Sequence, residues 1–574
     1  MNISNEKIAD ILKKISFYLE MENVSFKPQA YLKAARAIEE LDKDVNSIYL
    51  SGGLEALEKI PGVGVSIAEK IEELIKTGRL KYFEDYQKKY PIDLDGLMNI
   101  EGLGPKTILE LYRQLKVKNL NDLESAAKSG AIAKLAGFGQ KSQENILKSL
   151  EFAKKYGGRF VLGFVMPKIQ EIKNYLETLP AVKKIDIAGS TRRMKETIGD
   201  LDILVVSNKP LEVMDYFVKM PGVSRVYAKG ETKSSINLEN GLDVDLRVIP
   251  ENSYGAALAY FTGSKEHNIA LREIAIKKGY KLNEYGLFDK KNKQIAGKTE
   301  EEIYHSLGLD FIEPEMRENR GEIKLAAEHN LPKIIGYNDL MGDLQIQTNW
   351  TDGENSIEEV VEAAIKKGLK YIVITDHSKR LAMAHGLDEK RLLQQGREID
   401  KIQKKFGNKI KILKGIECDI LKDGSMDLSD EVLSKLDVVG GAIHSYFNLS
   451  KEEQTERLKK AMRNKNVDII FHPTGRVINK REAYELDLED IFRTAKETGT
   501  ILEIDAFPDR LDLKDEYVKK ALEFGVKFSI DSDAHSIKHF DYLRYGIANA
   551  RRGWAGKNNI INAWPLEKML SFLK

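Results

Sequence analysis

The sequence predicts a multidomain chain with an α-helical front, an α+β centre and an α/β C-terminal half, and three observations carry that prediction. At 574 residues it exceeds what one hydrophobic core organises. A pattern recurs near the front, in IPGVGVSIAEKI from Ile60, IEGLGPKTILEL from Ile100 and LAGFGQKSQENIL from Leu135, each with an apolar residue, a G-x-G turn and a helix start. From Gly336 onward, helices such as IEEVVEAAIKKG alternate with apolar strands. Such alternation predicts parallel strands joined by crossover helices, in a barrel or an open doubly wound sheet.

Composition narrows the setting. Charged residues make up 31% and apolar residues 42%, and no apolar run approaches the roughly 20 residues of a membrane helix. The start MNISNEKIADILKK lacks an apolar signal core, and the single Cys418 forms no internal disulfide, so a reducing cytoplasm and no membrane partner are expected. A net charge of +1 neither demands nor forbids nucleic acid, because a basic face on one domain is cancelled by acidic residues elsewhere.

In the front segment, the hairpin glycines Gly62 and Gly64, Gly102 and Gly104, and Gly137 and Gly139 each precede a helix. Backbone N–H groups in such a turn hold a phosphate without reading a base. One copy would be a tight helix connection and nothing more. Three copies point to helix-hairpin-helix modules that grip a nucleic-acid backbone.

The centre holds IDIAGSTRRMKETIGDLDILVVS, Ile185 to Ser207, which reads as strand, Gly189-Ser190 turn, short helix and strand. Asp200 and Asp202 lie two apart, so both carboxylates leave one face, where hard oxygen ligands hold Mg²⁺. The Gly-Ser turn and Arg193 could clamp a phosphate chain against the metals. A two-metal site needs a further carboxylate, and GLDVDLRVIP presents Asp243, Asp245 and Arg247 on one strand face, with spacing alone unable to choose between the aspartates. Next, YFTGSKEHNIALREIAIKKGYKLNEYGLF opens with an aromatic turn and continues as an amphipathic helix carrying Asn268 and Arg272.

In the C-terminal half, His377, Glu417, His444, His472, Asp533 and His535 fall at or just past strand ends, where α/β barrels build their sites. A lone histidine is usually structural, but four at successive strand ends, joined by Glu and Asp, read as a metal cluster. In GDLQIQTNWTDG, Gln345 and Gln347 are spaced like ligands on one strand face, yet a neutral amide is a poor ligand.

Together AGSTRRMKETIGDLDILV, DVDLRVIP and YFTGSKEHNIALR resemble the palm and thumb of family X DNA polymerases, the DNA polymerase beta group, and the likeness spans residues 1 to about 315. The resemblance implies templated nucleotide addition at short gaps in repair, by a monomer acting on gapped or nicked DNA and dNTPs. It implies a lyase-like helix-hairpin-helix domain (1–88), fingers (89–153), a nucleotidyltransferase palm (154–252) and a thumb (253–317), followed by a charged linker (318–338). By the same resemblance Asp200, Asp202 and Asp245 hold the catalytic Mg²⁺ or Mn²⁺. Gly189, Ser190, Arg193 and Gly199 meet the nucleotide phosphates, Tyr260, Phe261, Gly263 and Asn268 its sugar and base edge, and Arg272 the template. Lys70 matches a Schiff-base lysine of a 5′-deoxyribose-phosphate lyase, and Lys27 with Tyr31 a 5′-phosphate-binding helix, while Ser66 stands where vertebrate members carry a basic residue.

Residues 339–574 resemble the PHP domain that bacterial and archaeal family X polymerases carry, a distorted (β/α)₇ barrel with Mn²⁺ or Zn²⁺ and 3′-to-5′ exonuclease activity. Asp352, His377, Glu417, His444, His472, Asp533 and His535 match its ligands. Gln345-Ile346-Gln347 stands where the family has H-x-H, so the ion those positions share with Glu417 and Asp533 is expected to be lost or loosely held and the nuclease weakened or absent. Two rival readings make the barrel nuclease the main activity or the chain a non-catalytic end-bridging scaffold; the intact aspartates argue against the first.

Overall fold

Ser4 starts the fold: its hydroxyl accepts from the Lys7 amide and caps the helix Asn5–Met21. The computed structural model describes residues 3–574 except 40, 42, 99, 101, 102, 136 and 157. They divide into two compact units, residues 1–157 with 479–481, and residues 158–478 with 482–574.

The first unit is helical and has two cores. Ile8, Leu12, Ile15, Ala34, Ile38, Ile67, Ile71 and Leu74 form one. Ile108, Leu111, Leu123, Ile132 and Ile146 form the other, into which Tyr18 and Met21 of the first helix also pack. The apolar i, i+3, i+4 spacing of each helix is what lets one helix serve both.

The second unit begins with a five-stranded sheet in the order Lys184–Ile187, Asp200–Val206, Asp243–Ile249, Lys233–Leu238, Val223–Lys229. Only the pair Asp200–Val206 and Asp243–Ile249 is parallel, with Asp202 level with Asp245. The helices Tyr254–Thr262 and Lys265–Lys277 and a three-stranded sheet follow, around Ala256, Leu271, Leu287, Ile303 and Tyr304. The charged stretch 318–338 is packed against them. Glu322 in the helix Glu322–Ala327 is fully buried, accepts from the Asn319 and Arg320 amides at 2.8 and 2.6 Å, and meets His267 at 2.7 Å. Its charge is satisfied, which is why so polar a segment folds down.

Seven parallel strands then run in chain order from Gly342–Asp343 to Phe528–Asp531. An isolated parallel bridge between Ile346 and Ala534, just past the first and last strands, nearly closes the sheet into a (β/α)₇ barrel. Capping boxes at Ser356/Glu359 and Ser450/Glu453 start two of the outer helices. Leu344, Val373, Leu413, Ile469 and Phe471 fill one end of the barrel. Gly440 is required there, since a Cβ would lie 1.9 Å from the Phe471 ring. The opposite end, at the strand C-termini, is left to polar side chains.

Sheet and barrel share a core. Ile478, Leu511, Tyr545 and Ala548 of the barrel pack with Leu162, Val165, Ile169, Ile198 and Leu201. A partly buried ionic seam runs beside it: Arg476 grips both oxygens of Glu196 at 2.5 and 3.1 Å, and Arg552 donates to the Met194 carbonyl while pairing with Asp515 at 3.3 Å. Removing one partner of a half-buried pair leaves the other charge poorly compensated, so Glu196→Ala is expected to destabilise this unit by about 1–2 kcal/mol, between the ranges for exposed and buried pairs. Urea unfolding checks it, and an unchanged midpoint would show that the seam does not hold the two parts together.

Candidate active sites

The sheet carries three carboxylates on one face. Asp200 and Asp202 alternate with inward Leu201 on one strand, and Asp245 lies level with Asp202 on the parallel neighbour. Burial, followed by the charges of Asp200 and Asp245, pushes the Asp202 carboxyl up to about 6. Asp245 goes the other way: burial opposes ionisation, but Lys233 at 2.7 Å and the Ser235 hydroxyl at 2.5 Å hold it below the usual carboxylate range. Asp243 lies level with Asp200, is exposed, and accepts from the Asn237 amide at 2.8 Å. Lys233 and Ser235 were not foreseen; their signal is the alternation of KSSINL opposite DVDLRV.

Gly189 makes the approach to these carboxylates possible. Its φ is +62°, and a Cβ would lie 2.4 Å from Asp202 Oδ2. Ser190 follows in the short helix Gly189–Arg192. Gly189→Ala adds left-handed strain of about 1–2 kcal/mol and displaces Asp202. Catalysis resting on this face is then expected to fall at least about tenfold more than stability does, checked by single-turnover extension beside a melting curve.

Arg193 donates to Glu318 at 2.8 Å and to the Thr262 carbonyl, which ties the Gly189 turn to the helix Tyr254–Thr262. Arg192 is held by both oxygens of Glu300. Gly263 breaks the following turn with φ +71°, and Asn268 donates to the Tyr260 carbonyl at 2.6 Å. The Arg247 guanidinium stacks 4.5 Å over the Phe261 ring, so strand and aromatic turn meet. Arg272 donates to the Asn268 carbonyl at 3.3 Å. Gly199 lies beside Arg159, whose Nε donates to Thr197.

At the barrel's polar end, Glu417 is the hub. Its Oε1 lies 2.8 Å from His472 Nε2 and 3.0 Å from His444 Nε2, and its Oε2 lies 3.3 Å from His377 Nδ1. Burial pushes this carboxyl up, but the three imidazoles outweigh burial and hold it well below the usual range. Asp352 lies 3.6 Å from His377 and 3.7 Å from His535. Asp352, His377 and His535 form one group of suitable metal donors, and His377, Glu417 and His444 another. Among the described residues, buried His472 Nδ1 and Asp533 Oδ1 have no hydrogen-bond partner, which is the condition of atoms that fit a cation.

The two glutamines point into the same end. Gln347 Nε2 donates to Glu417 Oε2 at 2.7 Å, and among the described residues neither amide atom of fully buried Gln345 has a hydrogen-bond partner. Sequence reading missed Asp419, which lies 3.3 Å from His444, and Arg510, which lies 3.5 Å from Asp533. Asp419 ends its strand and could have been found by the rule that found the histidines, whereas Arg510 lies well past the strand Ile501–Asp505 and could not.

In the first unit, Gly64 and Gly104 are the N-caps of Val65–Thr77 and Pro105–Leu115, and neither helix start has a side-chain cap. Those amides are open to an anion. Gly62 and Gly137 take φ of +80° and +83°, Gly139 precedes the helix Gln140–Tyr156, and Gly102 lies outside the described residues. Lys70 donates to the Ser66 hydroxyl and carbonyl at 2.9 and 3.0 Å and lies 4.8 Å over the Tyr82 ring. Burial, with a contribution from Lys27, lowers its pKa. Lys27 is exposed at the start of the helix Lys27–Glu39, and Tyr31 is buried in the core on that helix.

Family models match along the chain: a helix-hairpin-helix domain at residues 3–80, a SAM-like helix-hairpin-helix tandem at 94–151, the DNA polymerase beta thumb at 257–318 and a PHP domain at 343–507. The DNA polymerase/3′-5′ exonuclease PolX of Bacillus subtilis (strain 168) is 39% identical over 571 residues, 99% of each chain. DNA polymerase lambda of Arabidopsis thaliana is 26% identical over 355 residues, 54% of this chain and 62% of that protein. A probable phosphatase of Thermoanaerobacter sp. (strain X514) is 33% identical over 192 residues, 32% of this chain and 73% of that protein. No described helix is long and apolar enough to cross a membrane.

Proposed function

This chain belongs to the family X DNA polymerases that carry helix-hairpin-helix and thumb domains and a C-terminal PHP domain, and from that premise we propose that it fills short gaps during DNA repair at Asp200, Asp202 and Asp245. It is a DNA-directed DNA polymerase. We assign the lyase-like domain to residues 1–88, fingers to 89–153, palm to 154–252, thumb to 253–317 and the PHP domain to 339–574, with dNTPs and gapped DNA as substrates of a monomer.

The observation that supports the site assignment is the Gly189 turn set against Asp202, so close that a Cβ would lie 2.4 Å from Asp202 Oδ2, which brings backbone amides to the carboxylate face. Asp200, Asp202 and Asp245 would hold Mg²⁺ or Mn²⁺. Such ions, when bound, lower the pKa of the primer 3′-hydroxyl and neutralise charge on the triphosphate and departing pyrophosphate. The chain itself does the positioning. Lys233 and Ser235 keep Asp245 ionised and oriented. Gly189 and Ser190 face the phosphates, and Arg193 reaches them by exchanging Glu318 for the incoming charge. Tyr260, Phe261, Gly263 and Asn268 form the wall for sugar and base. The test is primer extension across a one-nucleotide gap with a 5′-phosphate, in Mg²⁺ and in Mn²⁺; products that shorten and never lengthen would overturn the reading.

The barrel residues named above fit Mn²⁺ or Zn²⁺, which supply a Lewis acid and a metal-activated water for phosphodiester hydrolysis. The relative from Bacillus subtilis is named an exonuclease. In this chain the Gln347 amide occupies Glu417 and Gln345 offers only a neutral oxygen, so the nuclease is weakened.

Lys70, with its pKa lowered, is the Schiff-base nucleophile of a 5′-deoxyribose-phosphate lyase. Lys70→Ala is expected to remove borohydride-trapped adducts on an incised abasic site while leaving gap extension within about twofold of the parent. Trapping that survives this change would move the role to another amine.

A further inference from the structure

The barrel's polar end has a second feature that its metal donors do not use. Tyr446 follows His444 by two residues, is 47% exposed, and takes a φ of +57°. A bulky aromatic in the left-handed region costs on the order of 1 kcal/mol, and such strain survives only where surrounding structure imposes it. Here Arg457 imposes it. This fully buried guanidinium donates to the carbonyl oxygens of Ser445 at 2.9 Å, Leu421 at 2.8 Å and Ile420, so it fastens the loop carrying Tyr446 to the loop carrying Lys422.

Three cations surround the ring: Arg380 at 5.6 Å from its centroid, Lys422 at 5.9 Å and Arg457 at 6.0 Å. Arg380 and Lys422 are exposed. The barrel topology places them at the metal cluster, because Arg380 lies three residues after His377, Lys422 lies five after Glu417, and both follow strands that end at the polar mouth. Arg380 also reaches the cluster directly, through Asp419 at 2.9 Å, which lies 3.3 Å from His444.

An exposed aromatic face, held rigidly and flanked by solvent-facing cations, is the arrangement that stacks an unpaired base while its phosphates lie against positive charge. A paired base offers no free face to such a ring. We propose that Tyr446, with Arg380 and Lys422, is a stacking subsite for the terminal base of an unpaired DNA 3′ end presented to the barrel. The proposal rests on the reading of the barrel as a nucleic-acid phosphoesterase and adds a positioning residue, Tyr446, for the base at the DNA 3′ terminus.

The test uses the full-length protein and a short single-stranded oligonucleotide ending in 5-iodouracil, irradiated and mapped by mass spectrometry. The adduct is expected on the peptide containing Tyr446 and should be competed by single strands but not by blunt duplex. With 2-aminopurine as the terminal base, Tyr446→Leu is expected to weaken the quenched complex about tenfold, the lower range for loss of one stacked base, whereas Tyr446→Trp retains it. Equal melting temperatures establish that each variant is folded. Adducts confined to residues away from 444–447, or parental binding by Tyr446→Leu, would overturn the subsite. Failure of the phosphoesterase reading looks different: the Tyr446 adduct forms, yet Gln345→His/Gln347→His shows no hydrolysis with any divalent metal.

Discussion

Asp245→Ala is expected to lower single-turnover extension of a one-nucleotide gap by about 10³-fold or more, while affinity for the gapped DNA changes less than about twofold. A bound metal contributes several kcal/mol to transition-state charge stabilisation, and each 1.4 kcal/mol is tenfold in rate. On the proposed reading Asp245 would carry that stabilisation, since Lys233 and Ser235 bond its two oxygens and it lies level with Asp202 across the parallel pair. Asp245→Asn keeps the shape and removes the charge, so it should lose nearly as much. Asp243→Ala is the control. That residue is exposed, bonds Asn237 and lies one pleat away, so it should stay within about threefold of the parent. Equal losses at Asp243 and Asp245 would sink the assignment of the third ligand.

The second large effect concerns the barrel. Gln345→His/Gln347→His is expected to raise the metal content by about one ion per chain, measured by inductively coupled plasma mass spectrometry after dialysis, and to raise Mn²⁺-dependent shortening of a single strand by about 10- to 100-fold or more, since even an outer-shell partner of a metal ligand is worth that range. In the parent, the Gln347 amide donates to Glu417 Oε2, and among the described residues the buried Gln345 amide has no hydrogen-bond partner. Histidine replaces that donor with an imidazole nitrogen lone pair, which suits Mn²⁺ and Zn²⁺ far better than an amide oxygen. Strong shortening by the purified parent, lost in His472→Ala, would contradict the weakened nuclease.

Much of the candidate chemistry was legible before any coordinates. Period-two spacing put Asp200 with Asp202, and the positions of His377, Glu417, His444 and His472 after apolar runs marked one end of a parallel sheet, barrel or open, because side-chain direction follows directly from strand period. The partners of those residues were not legible. Lys233 meets Asp245 through antiparallel register, and Arg510 meets Asp533 through the order of barrel strands. Neither register nor strand order is a local property of the chain.

Local pattern therefore determined the kinds of module, the carboxylate and histidine faces and the two anomalous glutamines. Tertiary structure decided three things that pattern could not. It set the register of the parallel pair, which puts Asp245 level with Asp202 and Asp243 level with Asp200. It turned the charged stretch 318–338 from an expected linker into a packed segment by burying Glu322 among donors. And it joined palm to barrel, since Leu511 and Tyr545 complete a core begun by Leu162 and Ile169, while Arg476 neutralises Glu196 from 280 residues away. Burial and charge pairing depend on which surfaces meet in space, and a chain's own periodicity specifies only the surfaces.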